Sequence, residues 1–203
     1  KRLLKTSGIK TPEFMFVKKV VKRVKHNLKY PIIVKPAYED ASVGIENESI
    51  VTNDKLLSRR VEYVINHFAQ PALIEEFIDG RELNVAVIGD KNPVTLPISE
   101  ISFTQMPDHL FNIVSYQAKW DPLHESYHKT IPVCPAKLPK KIETKAKEIA
   151  LKAFRLMGCR DYARIDMRLS HKKELYVLEV NPNPDLTEGA GFMRSAEAAG
   201  FTY

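Results

Sequence analysis

The chain has 203 residues, 44% of them hydrophobic and 28% charged, a balance that suits one large globular domain or two small ones. No apolar run approaches the roughly 20 residues of a membrane-spanning helix, and residues 1–10 lack the apolar centre and cleavage site of a secretory signal. Two cysteines, Cys134 and Cys159, make no C-x-x-C pair and point to a reduced, cytoplasmic protein. The formal net charge of +6 suits anionic partners: a phosphorylated small molecule, nucleic acid or an anionic membrane.

The densest basic stretch comes early. Val17, Val20, Val21, Val24 and Leu28 fall at helical spacing, and Lys18, Lys19, Lys22, Arg23, Lys25 and Lys29 fill the remainder. This pattern predicts an amphipathic helix with a solvated basic face. The alternative, a nucleic-acid patch, lacks any RNA-recognition signature or zinc-finger spacing, and no nucleic-acid or membrane partner is expected. Residues 31–35 read as a short apolar strand ending on Lys35, followed by a loop over 36–44 and a strand near 49–52. Asn53 is suited to cap a helix running to about Phe68. Residues 72–78 read as a strand that breaks at Asp79-Gly80, and further strands fall at 83–88 and 94–98.

Pro122, Pro132, Pro135 and Pro139 mark residues 121–135 as an irregular excursion. His124 and His128 stand four apart in it, a spacing that would suit zinc on a helix. The prolines argue against such a helix, and no cysteine is close enough to complete a site. Residues 140–157 form a strong helix candidate, with Ile142, Ala146, Ile149, Ala150, Ala153 and Leu156 on one face and Gly158 as its stop. Two strands and a helix over 189–199 complete an α+β architecture. Its halves, 1–78 and 79–203, are expected to meet near Asp79-Gly80.

The stretch 159–183 is the most informative. Arg164-Ile-Asp-Met-Arg-Leu169 alternates charged and apolar residues, and so does Tyr176-Val-Leu-Glu-Val-Asn181 apart from Val177. A polar loop over 171–174 would make a hairpin in which paired residue numbers sum to 345. Asp166 then faces Glu179, and Arg164 faces Asn181, all on one side of the sheet. Ile165, Met167, Leu169, Leu178 and Val180 fill the other side. Directly opposed carboxylates repel unless something neutralises them, and two carboxylates with an amide oxygen suit magnesium. A plain solvated face is the alternative.

Arg164-Ile-Asp166, with Glu179-Val-Asn181 thirteen residues after the Asp, resembles the magnesium signature of ATP-grasp ligases. Other segments match in the same order: Ile33-Val-Lys-Pro36 with Ser42-Val-Gly44, Leu73-Ile-Glu-Glu76 with Gly80-Arg-Glu82, Ala118-Lys119, and Cys134-Pro-Ala136. Within that superfamily the chain is similar to the D-alanine–D-alanine ligases over nearly its whole length. The resemblance implies an ATP-grasp fold: two α+β subdomains, with mainly antiparallel sheets, that sandwich ATP. It implies a ligase joining a carboxylate to an amine through an acyl phosphate. The cofactors would be ATP and two magnesium ions, with manganese as a substitute. The substrates would be amino acids or peptides, and the assembly a homodimer.

The implied roles are specific. Asp166, Glu179 and Asn181 would hold magnesium. Lys35 and Lys119 would contact phosphate oxygens, with Ser42, Val43 and Gly44 closing over them through backbone N–H groups. Glu75, Phe77 and Ile78 would line the adenine, and Glu82 would accept from the ribose hydroxyls. Arg164, Lys119 and Ser42 would act in catalysis, Arg164 on the charge of the acyl phosphate and tetrahedral intermediate. Taken alone, Lys35 could snorkel to solvent, Glu75 and Glu82 would be surface acids, and Gly44 would mark a turn.

Three segments depart from the family pattern. Asp185 stands where the family has glycine, Ala190 and Gly191 occupy the region of a serine, and Trp120 follows Lys119 where tyrosine is usual. The loop Glu39-Asp-Ala-Ser42 also lacks the family's glycine and first serine. An acceptor site around Asn183, Asp185, Thr187, Glu188 and the helix start near Gly189 to Gly191 would favour an acceptor with an extra amine, or one without a nearby carboxylate, over D-alanine. The alternative is that Asp185 bonds within its own loop. Family members also carry a preceding domain, so the chain reads as a fragment. An ATP-grasp carboxylase relative or a non-catalytic nucleotide-binding module are the alternative functions.

Overall fold

In chain order, the computed structural model, which describes residues 1–203, forms α1 (Arg2–Thr6), β1 (Phe14–Val17), β2 (Ile32–Pro36), β3 (Ile50–Val51), α2 (Asp54–Phe68), β4 (Ala72–Glu76) and β5 (Gly80–Ile88). There follow β6 (Val94–Thr95), β7 (Ser99–Ser102), α3 (Tyr116–Trp120), β8 (Ile131–Val133), α4 (Lys140–Leu156), β9 (Tyr162–Ser170), β10 (Leu175–Asn181) and α5 (Gly191–Ala198). Every strand pairing is antiparallel, so the class is α+β. No helix is long and apolar enough to cross a membrane.

The chain forms two units, and neither is continuous. The first contains Lys1–Thr11, Ile78–Ser102 and Ile131–Tyr203, and the second Pro12–Phe77 and Phe103–Thr130. The expected halves, 1–78 and 79–203, missed two exchanges. Residues 1–11 give Leu4 and Ile9 to the first unit's core. The excursion after β7 packs instead in the second unit, where Phe111 meets Phe77 edge-on. Local sequence patterns carry no record of such non-local packing.

The second unit has a four-stranded sheet in the order β1-β4-β2-β3. Ile32, Val34, Ala72 and Ile74 of the sheet pack with Leu57, Val61 and Val64 of α2. The helix starts where Asn53 accepts the Leu56 N–H at 3.0 Å and ends at Ala69, which turns left-handed at φ 52°. The amphipathic helix expected over 17–29 is absent: Val17 ends β1 and the following residues are irregular. Four valines and six cations, with no acid within the run to pair at i+4, make a weak helix. Tertiary contacts hold the segment instead. Val24 and Leu28 enter the core, Arg23 grips Asp54 at 2.7 and 3.0 Å, and the Lys29 N–H donates to Glu76 at 2.9 Å.

The first unit has a six-stranded sheet in the order β10-β9-β5-β7-β8, with β6 paired to β5. Period-two alternation divides its central strands cleanly. Leu83, Val85, Val87, Ile165, Met167 and Val177 face Ala146, Ala150, Ala153 and Phe154 of α4, all essentially buried. Asn84, Ala86, Arg164, Asp166 and Arg168 face the other way, where Ala86 meets Phe192 and Ala196 of α5. The hairpin register holds from Glu179↔Asp166 to Asn181↔Arg164. A bulge after Val177 shifts the pairs nearer the turn, so Leu175 faces Leu169 and Val177 faces Met167. Val177 therefore takes the core position expected of Leu178. The break in alternation at Val177 was the mark of that bulge.

The cap of α2 gives a direct check. Asn53→Ala should destabilise the protein by about 1 kcal/mol, read as a lower urea midpoint with an unchanged slope. An unchanged midpoint would mean that the Asn53–Leu56 bond carries none of the helix's stability.

Candidate functional site

The first unit presents a ladder of polar residues on the face turned away from α4. Asp166 lies on β9 directly opposite Asn84 of β5 and Glu179 of β10. Arg164 grips it bidentately, Nε to Oδ1 and Nη2 to Oδ2, both at 2.8 Å. Asn84 Nδ2 adds a third bond to Oδ1 at 2.8 Å. Glu179 stands exposed, 4.0 Å from Nη2 of Arg164. Burial works against the charge of Arg164, but Asp166 foremost, then Glu179 and Glu82, outweigh it and hold the proton more tightly than usual. Asn181 Oδ1 accepts the Asn183 N–H at 2.9 Å, which shapes the turn out of β10. One step along the ladder, Glu82 pairs with the buried Arg168 at 2.8 Å. Ile78, the first residue of this unit's middle segment, is half-buried.

Sequence reasoning passed over Asn84. Its place follows from the β5–β9 register, a pairing across 82 residues that no local pattern encodes. It also passed over Arg194, on the first turns of α5. A Cβ on Gly191 would stand 3.6 Å from Nη1 of Arg164 and 3.6 Å from Nη2 of Arg194. Burial and the neighbouring Arg164 charge lower the affinity of Arg194 for its proton. Asp185 accepts from the N–H and hydroxyl of Thr187 at 2.9 and 2.8 Å, bonding within its own loop. Two guanidinium groups, those of Arg164 and Arg194, thus stand beside Gly191.

In the second unit, Lys35 of β2 and Glu75 of β4 sit on one face of neighbouring strands, because Lys35 faces Leu73 and Glu75 faces Ile33. Their side chains meet at 2.8 Å, and Glu75 is 1% exposed. Lys35 is thus held by a buried carboxylate rather than simply extended into solvent. The Phe77 N–H donates to the Pro31 carbonyl at 2.9 Å.

The loop following β2 is tightly specified. Val43 N–H donates to Asp40 and Ile45 N–H to Ser42, at 2.9 and 3.0 Å. Gly44 has φ +72°, and a Cβ there would stand 2.6 Å from Pro36 Cγ and 2.7 Å from Phe68 Cζ. Arg60 of α2, nearly buried, donates to the Gly44 carbonyl at 3.0 Å, to Ser49 Oγ at 2.9 Å and to Glu46 Oε2 at 2.7 Å. Ser42 Oγ donates to the Val114 carbonyl at 2.8 Å. Lys119, near the end of α3, lies 5.2 Å from the ring of Trp120. His124 caps the turn after α3 by accepting the Ser126 N–H at 3.2 Å, while His128 reaches the Pro122 carbonyl at 3.0 Å.

No group of three His, Cys, Asp or Glu side chains gathers anywhere in the chain as a ready metal cage. The β9–β10 ladder offers two carboxylates and an amide oxygen, hard donors of the kind magnesium takes beside phosphate and water.

A family model described as the D-ala D-ala ligase C-terminus matches residues 3–203. An uncharacterised protein of Sinorhizobium fredii is 34% identical over 203 residues, covering 100% of this chain and 57% of that protein. A D-alanine–D-alanine ligase of Carboxydothermus hydrogenoformans is 32% identical, covering 100% of this chain and 63% of its own length. The chain therefore spans about three fifths of these curated relatives. Among solved structures, a VanG D-Ala:D-Ser ligase of Enterococcus faecalis shares the fold at a TM-score of 0.75 and 23% identity, covering 99% of this chain and 56% of that one. A D-alanine–D-alanine ligase of Bacillus anthracis complexed with ATP does so at 0.71 and 24%, covering 98% and 58%.

The packing beneath Gly44 can be measured against a neutral reference. Gly158 has φ +67° but nothing within 4 Å of an added Cβ. Gly158→Ala should cost about 1 kcal/mol, the backbone penalty alone. Gly44→Ala should cost about 2–4 kcal/mol, because Pro36 and Phe68 must also shift. Equal losses in thermal unfolding would show that the loop is not packed against α2.

Proposed function

This chain belongs to the D-ala D-ala ligase C-terminus family, and on that footing we propose that it is the nucleotide-binding part of an ATP-dependent carboxylate–amine ligase working through an acyl phosphate. The observation that carries the proposal is the ladder on β9, where Asp166 faces Glu179 while Arg164 and Asn84 hold its carboxylate at 2.8 Å. Opposed carboxylates held beside an arginine suit a site that handles magnesium and phosphate together.

In this reading Asp166, Glu179 and Asn181 hold the magnesium, which supplies charge neutralisation to the phosphates when bound. Lys35, Lys119 and the Ser42–Val43–Gly44 backbone take phosphate oxygens. Glu75, Phe77 and Ile78 border the base, and Glu82 receives the ribose hydroxyls. In-line attack of a carboxylate on a phosphoryl group needs positioning and positive charge more than a protein nucleophile. Arg164 meets that need, since its grip on Asp166 fixes the guanidinium plane while Nη1 stands 3.6 Å from where a Cβ on Gly191 would lie. The nearby Arg194 makes an amine carrying its own carboxylate the favoured acceptor, rather than a diamine.

Two measurements on the full-length protein test this. Carboxyl oxygen labelled with a heavy isotope should appear in the released phosphate, whereas AMP and pyrophosphate would mean an adenylate and end the acyl-phosphate reading. Phosphate release across a panel of amino acids, dipeptides and diamines should favour acceptors with a carboxylate, and Arg194→Ala should erase that preference. A panel led by diamines would reverse the acceptor assignment.

A further inference from the structure

We propose that Trp120 is a positioning residue that holds the loop of residues 41–45 in its folded shape and ties that loop to Lys119. Its consequence for nucleotide binding rests on the ligase reading above, whereas its geometry stands within the second unit alone.

The loop holds backbone conformations that its residues do not favour. Ala41 at φ 49° and Ser42 at φ 66° are consecutive left-handed residues, and neither is glycine, asparagine or aspartate. Such conformations persist only where the surroundings over-determine them. Arg60 of α2 holds the far end of the loop at the Gly44 carbonyl, and one segment, residues 114–120, restrains the rest of it from outside. The Ser42 hydroxyl donates to the Val114 carbonyl at 2.8 Å, and the Tyr116 N–H donates to the Ile45 carbonyl at 2.7 Å. The indole N–H of Trp120 donates to the Ala41 carbonyl at 3.0 Å. Of these three bonds, only the indole reaches the first strained residue.

The segment giving these bonds is itself fixed. Ser115, 6% exposed, caps α3 by accepting the Ala118 N–H at 3.1 Å. Trp120 ends that helix with half its surface in water, yet its N–H is committed to the loop rather than to solvent. The same ring lies 5.2 Å from the Lys119 ammonium, within reach of a cation–π attraction. One side chain thus restrains the loop on one side and the lysine on the other. A ring that merely rests on the surface would make no such coupling.

The coupling can be measured without nucleotide, by hydrogen exchange of the full-length protein. The amides of Val43 and Ile45, bonded inside the loop, are the reporters. Trp120→Phe keeps an aromatic ring beside Lys119 and removes the donor with the five-membered ring that carries it. Exchange at both amides should rise about fivefold, the scale of one neutral hydrogen bond, and ATP affinity should fall by a similar factor. Ala41→Gly removes the left-handed penalty in either background, so it should slow exchange in the parent and return the Trp120→Phe protein to near-parental exchange and ATP affinity. Unchanged exchange in Trp120→Phe would overturn the role of Trp120. If the exchange effect and its rescue appear in a protein that binds no ATP, the clamp stands and the nucleotide reading fails. If ATP binds normally to Trp120→Phe with unchanged exchange, the clamp fails and the nucleotide reading stands.

Discussion

The period-two alternation of β9, placed between β5 and β10, is the constraint on which the first unit depends. One face of that strand puts Ile165, Met167 and Leu169 against α4, and the other puts Arg164, Asp166 and Arg168 in a row. A slip of one residue would bury the charges against Phe154 and expose the apolar set. The same register brings Asn84 and Glu82 to Asp166 and Arg168 from one side and Glu179 to Asp166 from the other. Core and candidate site are therefore two faces of one strand, specified together.

Charge pairing makes that polar face tenable. Asp166 and Arg168 are 8% and 3% exposed, and a carboxylate or guanidinium so removed from water is costly unless hydrogen-bonded. Asp166 receives three hydrogen bonds from Arg164 and Asn84, and Arg168 has Glu82 and the Gly80 carbonyl. Glu179 remains exposed, with Arg164 beside it. The second unit uses similar means at its own candidate residues. Glu75 is buried against Lys35, and Arg60 spreads its charge over Glu46, Ser49 and the Gly44 carbonyl.

Much of this was legible in the sequence, and the misses share a cause. The Asn53 cap and the opposition of Asp166 to Glu179 are local patterns and appear as read, as does most of the α4 face, which also buries Phe154, a residue outside the expected set. The residues 17–29 satisfied helical spacing yet form no helix, because Val24 and Leu28 reach the core from an irregular path while Arg23 binds Asp54. Spacing reports which residues want burial, not which backbone delivers them. Asn84 and Arg194 escaped notice for the complementary reason. Each is an ordinary polar residue until a distant strand or helix places it beside Asp166 or Arg164. The discontinuous units escaped in the same way, since the partners of Leu4 and Phe111 lie far along the chain.

The central claim is that the β9–β10 ladder handles a metal and a nucleotide together. Calorimetry of ATP binding to the full-length protein, with magnesium and with a chelator, tests it most directly when paired with Glu179→Gln. Glu179 is exposed and outside the hydrophobic core, so the substitution should leave the unfolding midpoint nearly unchanged. The account predicts tight binding with magnesium, weak binding without it, and loss of that difference in Glu179→Gln. Equal affinity with and without magnesium, or a magnesium dependence that survives the substitution, would contradict it.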